Sequence, residues 1–278
     1  MKKILIILAL SFIILPLFGK SGKVLAAKNK EIKEYKTQCL ASREYITSVR
    51  YLRKQKTFSL DEKQIRSLAD SVSKGCTGAS KRFILITKLL VKTGLDSRSA
   101  LLMGVKLSHK TEKEVKTFTY IFKRSFLKSF LDLDIKTSID IAYMLADKFD
   151  GNHSNSQRTF NQILKLCNSR GQLDMPNRTC AKLAARVAKS GENYKKPLGS
   201  GFKKLFHYLI KIDGPNLPTF KAIEISENIL KNGPTAAKNF IQAYRFGVAK
   251  KGLNITRGQA IDFAKKLASR TLEHVTKK

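Results

Sequence analysis

The sequence contains no tryptophan and few acidic side chains, and both shortages narrow the functions open to it. Without Trp, a cleft that stacks sugar rings would have to rely on Tyr. Asp and Glu together number only 21 in 278 residues, which leaves little material for hydrolase or lyase chemistry built from paired carboxylates. Histidines are scarce as well and lie far apart in the sequence, at His109, His153, His207 and His274.

Familiar catalytic and metal-binding motifs are also missing. The sequence has no Gly-x-Ser-x-Gly, no His-Glu-x-x-His, no Cys-x-x-Cys and no His pair at helical spacing. We therefore predict no catalytic residue, no metal site and no cofactor. An enzyme of the cell envelope with an unrecognised site is kept as an alternative.

Only one apolar run invites comparison with a membrane segment, and it lies at the start of the chain. Lys2 and Lys3 precede an apolar run of 15 residues from Ile4 to Phe18, and small side chains suited to cleavage follow at residues 24–27. The run is shorter than the about 20 residues that a transmembrane helix needs. We predict a signal peptide over residues 1–27, and hence a periplasmic or secreted protein without an integral membrane domain. An uncleaved anchor is the alternative.

Positive charge is in large excess. Residues 28–278 carry 50 Lys and Arg against 21 Asp and Glu. A codon bias toward Lys would raise Glu as well, and Glu is scarce, so we interpret the excess as selected for an anionic partner. In the whole sequence Lys outnumbers Arg by 40 to 14, and the compact Lys ammonium favours diffuse attraction to a polyanion over bidentate contacts that read a sequence.

Four cysteines in an exported chain indicate two disulfides. Cys167 and Cys180 flank a short loop between two predicted helices, so we predict that they pair. Cys39 lies on the apolar stripe of the first helix after the signal peptide, and its predicted partner is Cys76 in the first repeat. Four cysteines allow three connectivities, and the pairing of sequence neighbours is our preference among them.

A recurring pattern indicates a helical repeat. A Leu followed by a turn or cap residue recurs six times, and each occurrence precedes a helix with a small residue at one repeating place. A second helix then begins near a Phe. The Leu pairs are Leu60-Asp61, Leu95-Asp96, Leu133-Asp134, Leu173-Asp174, Leu217-Pro218 and Leu253-Asn254, and the phenylalanines are Phe83, Phe118, Phe160, Phe202 and Phe240. The Asp of each of the first four pairs is predicted to be a helix N-cap.

Helix pairs of this kind cannot bury their apolar faces alone, so they stack. The sequence predicts an all-α fold, a right-handed α-solenoid of about five and a half two-helix repeats. The period resembles that of HEAT-like helical-hairpin repeats over residues 59–270, and this resemblance of architecture implies no particular activity. The predicted organisation is a signal peptide (1–27), an N-terminal capping helix (28–58) and a helical-repeat domain (59–278). A helical bundle with accidental periodicity is the alternative.

The excess charge is concentrated on the second helices. Taken as residues 80–93, 116–131, 157–170, 201–212 and 236–251, they hold 18 Lys or Arg and no Asp or Glu, whereas the first helices hold 16 basic and 11 acidic residues. Lys or Arg stands two positions before and five positions after four of the five opening phenylalanines, on the opposite side of the helix, whereas Phe202 has Ser200 and His207 at these places. We predict that they form an anion-binding ribbon of Lys81, Lys88, Lys116, Lys123, Arg158, Lys165, Lys238 and Arg245.

One Gly-rich segment needs a separate interpretation. Residues 197–201 (Pro-Leu-Gly-Ser-Gly) precede two lysines at a predicted helix start, where backbone N–H groups can hold a phosphate. The segment matches neither a Walker loop nor a dinucleotide fingerprint, so a plain linker is the favoured interpretation.

These observations predict an exported helical-repeat scaffold whose basic ribbon binds an anionic partner. The expected partner is an anionic envelope polymer, an anionic lipid surface or an acidic protein. Nucleic-acid binding is the main alternative, because basic helical repeats can cradle DNA, but export argues against it. A neutral adaptor, in which Lys only maintains solubility, is a further alternative.

Overall fold

The computed structural model describes residues 42–168, 173 and 175–270. The predicted signal peptide, the start of the predicted capping helix and Cys39 lie outside the described residues. In the described part of the chain the secondary structure is helical throughout, without a strand. The helices are α1 (42–54), α2 (Glu62–Ser73), α3 (Ala79–Lys92), α4 (Ser97–Ser108), α5 (Glu112–Phe126), α6 (Ile135–Ala146), α7 (His153–Asn168), α8 (Asn177–Ser190), α9 (Gly199–Ile210), α10 (Thr219–Leu230), α11 (Ala236–Val248) and α12 (Arg257–Arg270), with a 3-10 turn at Lys56–Phe58.

The chain forms two compact units, Met1–Lys110 and Thr111–Lys278. The described part of the first unit contains α1 to α4, and that of the second contains α5 to α12. We refer to them as unit 1 and unit 2.

Aspartate side chains begin three of the predicted helices. Asp61, Asp96 and Asp134 accept hydrogen bonds from backbone N–H groups of Gln64, Ser99 and Thr137, at 2.7, 2.9 and 2.8 Å. A carboxylate at this position satisfies an unpaired N–H group and faces the positive end of the helix dipole. These three N-caps are confirmed.

Two predicted helix starts were wrong by two residues. The N-cap of α8 is Pro176 rather than Asp174, which lies outside the described residues. Helix α12 begins at Arg257, two residues later than a cap at Asn254 would place it, and the Gln259 N–H group lies 3.4 Å from Thr256 Oγ1, which takes the capping place. Asn254 instead adopts φ of 51°, a left-handed turn conformation that Asn tolerates well. The six N-caps therefore follow one another at 35, 38, 42, 42 and 38 residues.

The predicted small residue occupies one place in every first helix. It stands eight residues after the N-cap and is buried in each case, as Ala69, Gly104, Ala142, Ala184, Ser226 and Ala264. A small side chain there lets a neighbouring helix approach closely. At Gly104 the neighbour is α3, because a Cβ on Gly104 would meet the side chains of Phe83 and Thr87.

These close approaches determine which helices form the tight hairpins. The most extensive packing joins α3 with α4 in unit 1, and α5 with α6, α7 with α8, and α11 with α12 in unit 2. Each hairpin thus combines the second helix of one predicted repeat with the first helix of the next. Gly104 faces backwards along the chain toward α3, and in α12 another small residue, Ala260, likewise lies against Gly247 of the preceding helix α11.

Within unit 2 the second helices form one layer and the first helices another. Helices α5, α7, α9 and α11 contact one another in order, and so do α6, α8, α10 and α12. The helices of the first layer run parallel. Gly201 faces Ala237 near the starts of α9 and α11, and the rings of Tyr208 and Tyr244 meet near their ends, with centroids 5.9 Å apart.

The predicted disulfide between Cys167 and Cys180 is confirmed. It joins α7 to α8 with a Cα–Cα distance of 6.1 Å across 13 residues of sequence. Cys76 lies near the end of α2 and is partly exposed. Its predicted partner, Cys39, falls outside the described residues, so this pairing stays a prediction.

Candidate anion-binding surface

The five phenylalanines of the second helices are fully buried. Phe83, Phe118, Phe160, Phe202 and Phe240 have no accessible surface and anchor their helices in the two cores. Each Phe fixes the rotation of its helix about the helix axis, so the opposite side of the helix faces solvent. All eight predicted anion-binding side chains are exposed: Lys81, Lys88, Lys116, Lys123, Arg158, Lys165, Lys238 and Arg245.

The two units divide these residues between them. Lys81 and Lys88 belong to α3 in unit 1, where Lys88 Nζ lies 5.8 Å from the centroid of the Tyr51 ring. The other six belong to the α5, α7, α9 and α11 layer of unit 2. Because these four helices contact one another in order, their outward sides form a shared surface, which we call the basic face of unit 2.

The charge separation between helix types is weaker than predicted. Helix α5 begins at Glu112 instead of residue 116, so two glutamates belong to a second helix. With the observed bounds, second helices α3, α5, α7, α9 and α11 hold 14 basic and 2 acidic residues, against 14 and 6 for first helices α2, α4, α6, α8, α10 and α12. Glu112 Oε1 pairs with Lys116 Nζ at 2.7 Å, which offsets part of the charge of one predicted anion-binding residue.

Helices α5 and α7 meet through a polar contact on this face. The Asn161 side-chain amide donates a hydrogen bond to the Tyr120 hydroxyl at 2.6 Å, and the Arg124 guanidinium carbon lies 5.5 Å from the centroid of the Tyr120 ring. Lys123 and Lys165 flank this contact on their respective helices. The contact joins the two helices on the side that carries these bases.

A groove of about 470 Å³ lies between α9 and α11 on the same face. Four of the side chains that line it are Lys or Arg, and none is Asp or Glu. The lining residues are Lys204, His207 and Tyr208 of α9, Lys211 directly after α9, and Lys238, Ile241, Gln242 and Arg245 of α11. We call it the α9–α11 groove. It is a concave site with concentrated positive charge, as an anionic group requires.

Arg245 is held in the groove by an aromatic contact. Its guanidinium carbon lies 5.5 Å from the centroid of the Tyr208 ring, within cation–π range. Burial raises the pKa of Tyr208, while hydrogen bonding to Arg245 and the charge of Arg245 oppose that rise. Tyr208 therefore stays protonated near neutral pH and positions the guanidinium without competing for its charge.

His207 is the titratable member of the groove near neutral pH. Partial burial lowers the pKa of His207 below its usual 6.5, and the charges of Lys203 and Lys211 lower it further. The imidazole is therefore mainly neutral at pH 7. An anion bound beside it would favour the protonated form and raise that pKa.

The sequence indicated only part of this groove. Lys238 and Arg245 were predicted, and His207 falls in the same column of the repeat. Tyr208 and Lys204 were missed as contributors because their roles depend on the packing of α9 against α11. Lys204 stands two positions after Phe202, and none of the other four opening phenylalanines has a basic residue at that place. The repeat pattern therefore did not predict Lys204.

The Gly-rich segment at residues 197–201 is packed against protein. Gly199 is buried, and a Cβ there would meet the side chain of Gln162 in α7. The backbone N–H group of Leu198 donates a hydrogen bond to Thr159 Oγ1 at 3.0 Å. This helix start thus contributes to the packing of α7 against α9.

The described part of the chain offers neither a membrane-spanning helix nor a metal site. None of their helices is both long and apolar enough to span a membrane. No group of three or more His, Cys, Asp and Glu side chains among them is placed to hold a metal ion. His153 instead makes a structural contact between α5 and α7, because its Nδ1 lies 2.7 Å from Thr117 Oγ1.

No family model, no curated protein and no solved structure matches this chain.

Proposed function

We propose that this protein is an exported helical-repeat scaffold that binds an anionic polymer of the cell envelope through the basic face of unit 2. The observation that carries the proposal is the α9–α11 groove, where Lys204, Lys211, Lys238 and Arg245 converge with His207 and no carboxylate lines the groove. Lysine predominates, so binding uses several weak charge contacts and reads no specific sequence of units.

The repeat architecture supports an extended binding surface. Three connections, after α5, α9 and α11, share one backbone pattern. The N–H groups of Leu133, Leu217 and Ile255 donate to the carbonyls of Ser125, Leu209 and Gly247, at 3.0, 2.8 and 2.9 Å. A residue with positive φ precedes each donor, at Asp132, Asn216 and Asn254. We infer that the helix pairs of unit 2 stack as the right-handed α-solenoid expected from the sequence, which would align the outward bases along the layer.

Lysine-rich surfaces also attract other anions, and the chemistry of the groove favours a polymer. A polymer with regularly spaced charges can occupy Lys123, Lys165 and the α9–α11 groove at once, so its weak contacts add. An acidic protein would need matched apolar contacts as well, and Ile241 is the one apolar residue lining the groove. Export follows from the predicted signal peptide and is tested by N-terminal sequencing of the chain recovered outside the cytoplasm.

A binding series tests the proposal. The full chain is titrated with an anionic envelope polysaccharide and with duplex DNA over a range of salt concentrations. We expect the polysaccharide affinity to fall linearly with salt on logarithmic axes. The variant K238E/R245E should lower that affinity about tenfold or more at low salt, since two attractive contacts become repulsive.

A matched control changes the same net charge elsewhere in unit 2. K265E/K266E alters two lysines that line a different groove, between α10 and α12, where Glu224 is also present. If this control weakened binding as much as K238E/R245E, only net charge would matter and the proposed site would be wrong. Tighter binding of DNA than of any envelope polymer would favour the nucleic-acid alternative.

A further inference from the structure

Six large apolar side chains are exposed at one edge of unit 2. They lie in the connections after α5, α9 and α11 or in the adjoining helical turns, and they are between 42% and 82% exposed. They are Leu127, Phe130, Ile212, Phe220, Phe246 and Leu253. We call this set the turn edge. Among the described residues of unit 2, only Met144 and Leu267 are other large apolar side chains with comparable exposure.

The topology of unit 2 brings these connections to the same edge. Helices α5, α7, α9 and α11 are neighbours in one layer. Thr117 meets His153 and Tyr120 meets Asn161 between α5 and α7, just as Gly201 meets Ala237 and Tyr208 meets Tyr244 between α9 and α11. The C-terminal ends of α5 and α7 therefore point the same way, and so do those of α9 and α11.

Basic side chains surround the apolar ones. The segments 124–136, 211–221 and 246–257 contain eight Lys or Arg and three Asp, one of which, Asp134, is engaged as the N-cap of α6. Lys128, Lys211, Lys250 and Lys251 stand within three residues of an exposed apolar residue. The Arg124 guanidinium carbon lies 3.8 Å from the centroid of the Phe130 ring. Cation and apolar surface thus occur together in each connection.

We propose that the turn edge docks on the surface of an anionic phospholipid bilayer. The apolar side chains would enter the boundary between headgroups and acyl chains, while the lysines contact lipid phosphates. Long Lys stems suit this boundary because they bury methylene groups and keep the ammonium at the headgroups. Ile212, at 82% exposed, is the most protruding of the six and enters first.

The apolar residues here are spread over three separate turns and are interleaved with lysines. A protein partner favours a contiguous apolar patch with few charges at its centre, whereas a lipid interface accepts scattered apolar tips between cations. This proposal uses residues that do not line the α9–α11 groove, with the exception of Lys211, which lines the groove and is next to Ile212.

The absence of Trp from the chain makes a direct test possible. The variant I212W carries a single indole at the tip of the turn edge, in the full chain. The control M144W carries one near the C-terminal end of α6, whose N-terminal end adjoins the turn edge. Fluorescence is recorded with vesicles of phosphatidylglycerol and brominated phosphatidylcholine, and with vesicles of brominated phosphatidylcholine alone.

We expect the emission of I212W to shift to the blue and to be quenched by the anionic vesicles only, and that of M144W to stay unchanged. Adding F246S and L253S to I212W should weaken the vesicle response about tenfold or more, because apolar area no longer enters the boundary. Circular dichroism of each variant verifies the helical fold. The proposal would be overturned if the emission of I212W did not change with anionic vesicles, or if I212W and M144W responded equally.

The groove variant K238E/R245E separates this proposal from the polymer-binding one. If only the turn edge contacts lipid, K238E/R245E in the I212W background should keep the blue shift while losing affinity for envelope polysaccharide. Loss of the blue shift in this variant would show that the groove, and not the turn edge, directs lipid binding. Retained polysaccharide binding in F246S/L253S would confirm that the two surfaces act separately.

Discussion

Gly104 in α4 and Thr87 in α3 approach so closely that a Cβ at position 104 would collide with Thr87 Oγ1. The same Cβ would lie 3.0 Å from Cδ2 of Phe83, the buried anchor of α3. Thr87 Oγ1 is itself buried and has no hydrogen-bond partner among the described residues. The contact therefore depends on the missing side chain of glycine and not on a polar interaction.

Gly104→Ala should lower the free energy of unfolding by about 1–3 kcal/mol through overpacking, despite the better helix propensity of Ala. Thr87→Ala in the same chain should restore part of this loss, because it removes the atom that collides. The two variants and their combination form a double-mutant cycle, measured by chemical denaturation. Gly258→Ala is the control, since a Cβ there meets nothing within 4 Å. Additive effects at positions 87 and 104 would contradict the collision.

The disulfide between Cys167 and Cys180 closes a loop of 13 residues between α7 and α8. Replacing both cysteines by Ala should lower the free energy of unfolding by about 3 kcal/mol, because the unfolded chain regains the freedom that the loop closure removes. Urea denaturation followed by circular dichroism measures the change. Cys76→Ala provides a comparison. If the double variant unfolded at the same urea concentration as the parent chain, the disulfide would not contribute to stability.

The buried carboxylate of Glu44 in α1 caps the start of α3. It accepts hydrogen bonds from the backbone N–H groups of Gly78 and Ser80, at 3.0 and 2.6 Å. Burial raises the pKa of Glu44, but the hydrogen bonds from Ser80 and Gly78 and the charge of Arg82 together outweigh it and lower the pKa below 4.5. The folded state thus prefers the ionised form.

This preference predicts an acid-dependent loss of stability. The contribution of Glu44 is fully present above pH 4.5 and is lost as the pH falls through the lowered pKa of the folded state. Glu44→Gln should lower the free energy of unfolding by about 1.5–3 kcal/mol at pH 7, the range of a hydrogen bond to a charged group. The difference between the two proteins should shrink toward acidic pH in denaturation experiments. A constant difference from pH 7 to pH 3 would exclude this role.

Local chemistry explains which elements were predictable. Asp61, Asp96 and Asp134 cap helices through contacts with residues three positions ahead, so the sequence pattern alone locates them. The start of α5 was missed although its signal is equally local. Thr111 and Glu114 form a reciprocal capping box, in which Glu114 N donates to Thr111 Oγ1 at 3.2 Å and Thr111 N donates to Glu114 Oε2 at 2.7 Å.

Features that depend on packing were not predictable in the same way. Leu253-Asn254 matches the pattern of a Leu and a turn or cap residue that precedes the other first helices. Asn254, however, adopts a left-handed conformation in a turn, and the helix begins after Thr256. The same residue type suits both roles, and only the neighbouring helix decides between them. The contact of Arg245 with Tyr208 likewise joins residues of different helices, so it follows from the register between α9 and α11.

His207 should make anion binding depend on pH. It lies near Lys203 and Lys204 of α9, Lys211 directly after α9, and Lys238 and Arg245 of α11. Burial lowers the pKa of His207 below 6.5, and the charges of Lys203 and Lys211 lower it further. A bound polyanion favours the protonated imidazole and raises that pKa. The affinity for the polyanion is therefore lowest at pH values above the pKa of His207 in the complex. It rises as the pH falls, and it levels off below the pKa of His207 in the free protein.

Each unit by which the anion raises the pKa of His207 corresponds to a gain in affinity of about tenfold between these limits. Dextran sulfate is a suitable probe because its sulfate groups stay ionised throughout, and the ionic strength is held constant from pH 8 to pH 5. His207→Gln should remove the pH dependence while leaving the affinity at pH 8 nearly unchanged, since His207 is neutral there. His153, in the contact between α5 and α7, is an alternative origin of a pH-dependent affinity. The variant His153→Gln tests it. A parent chain whose affinity does not change over this range would show that the anion does not bind beside His207.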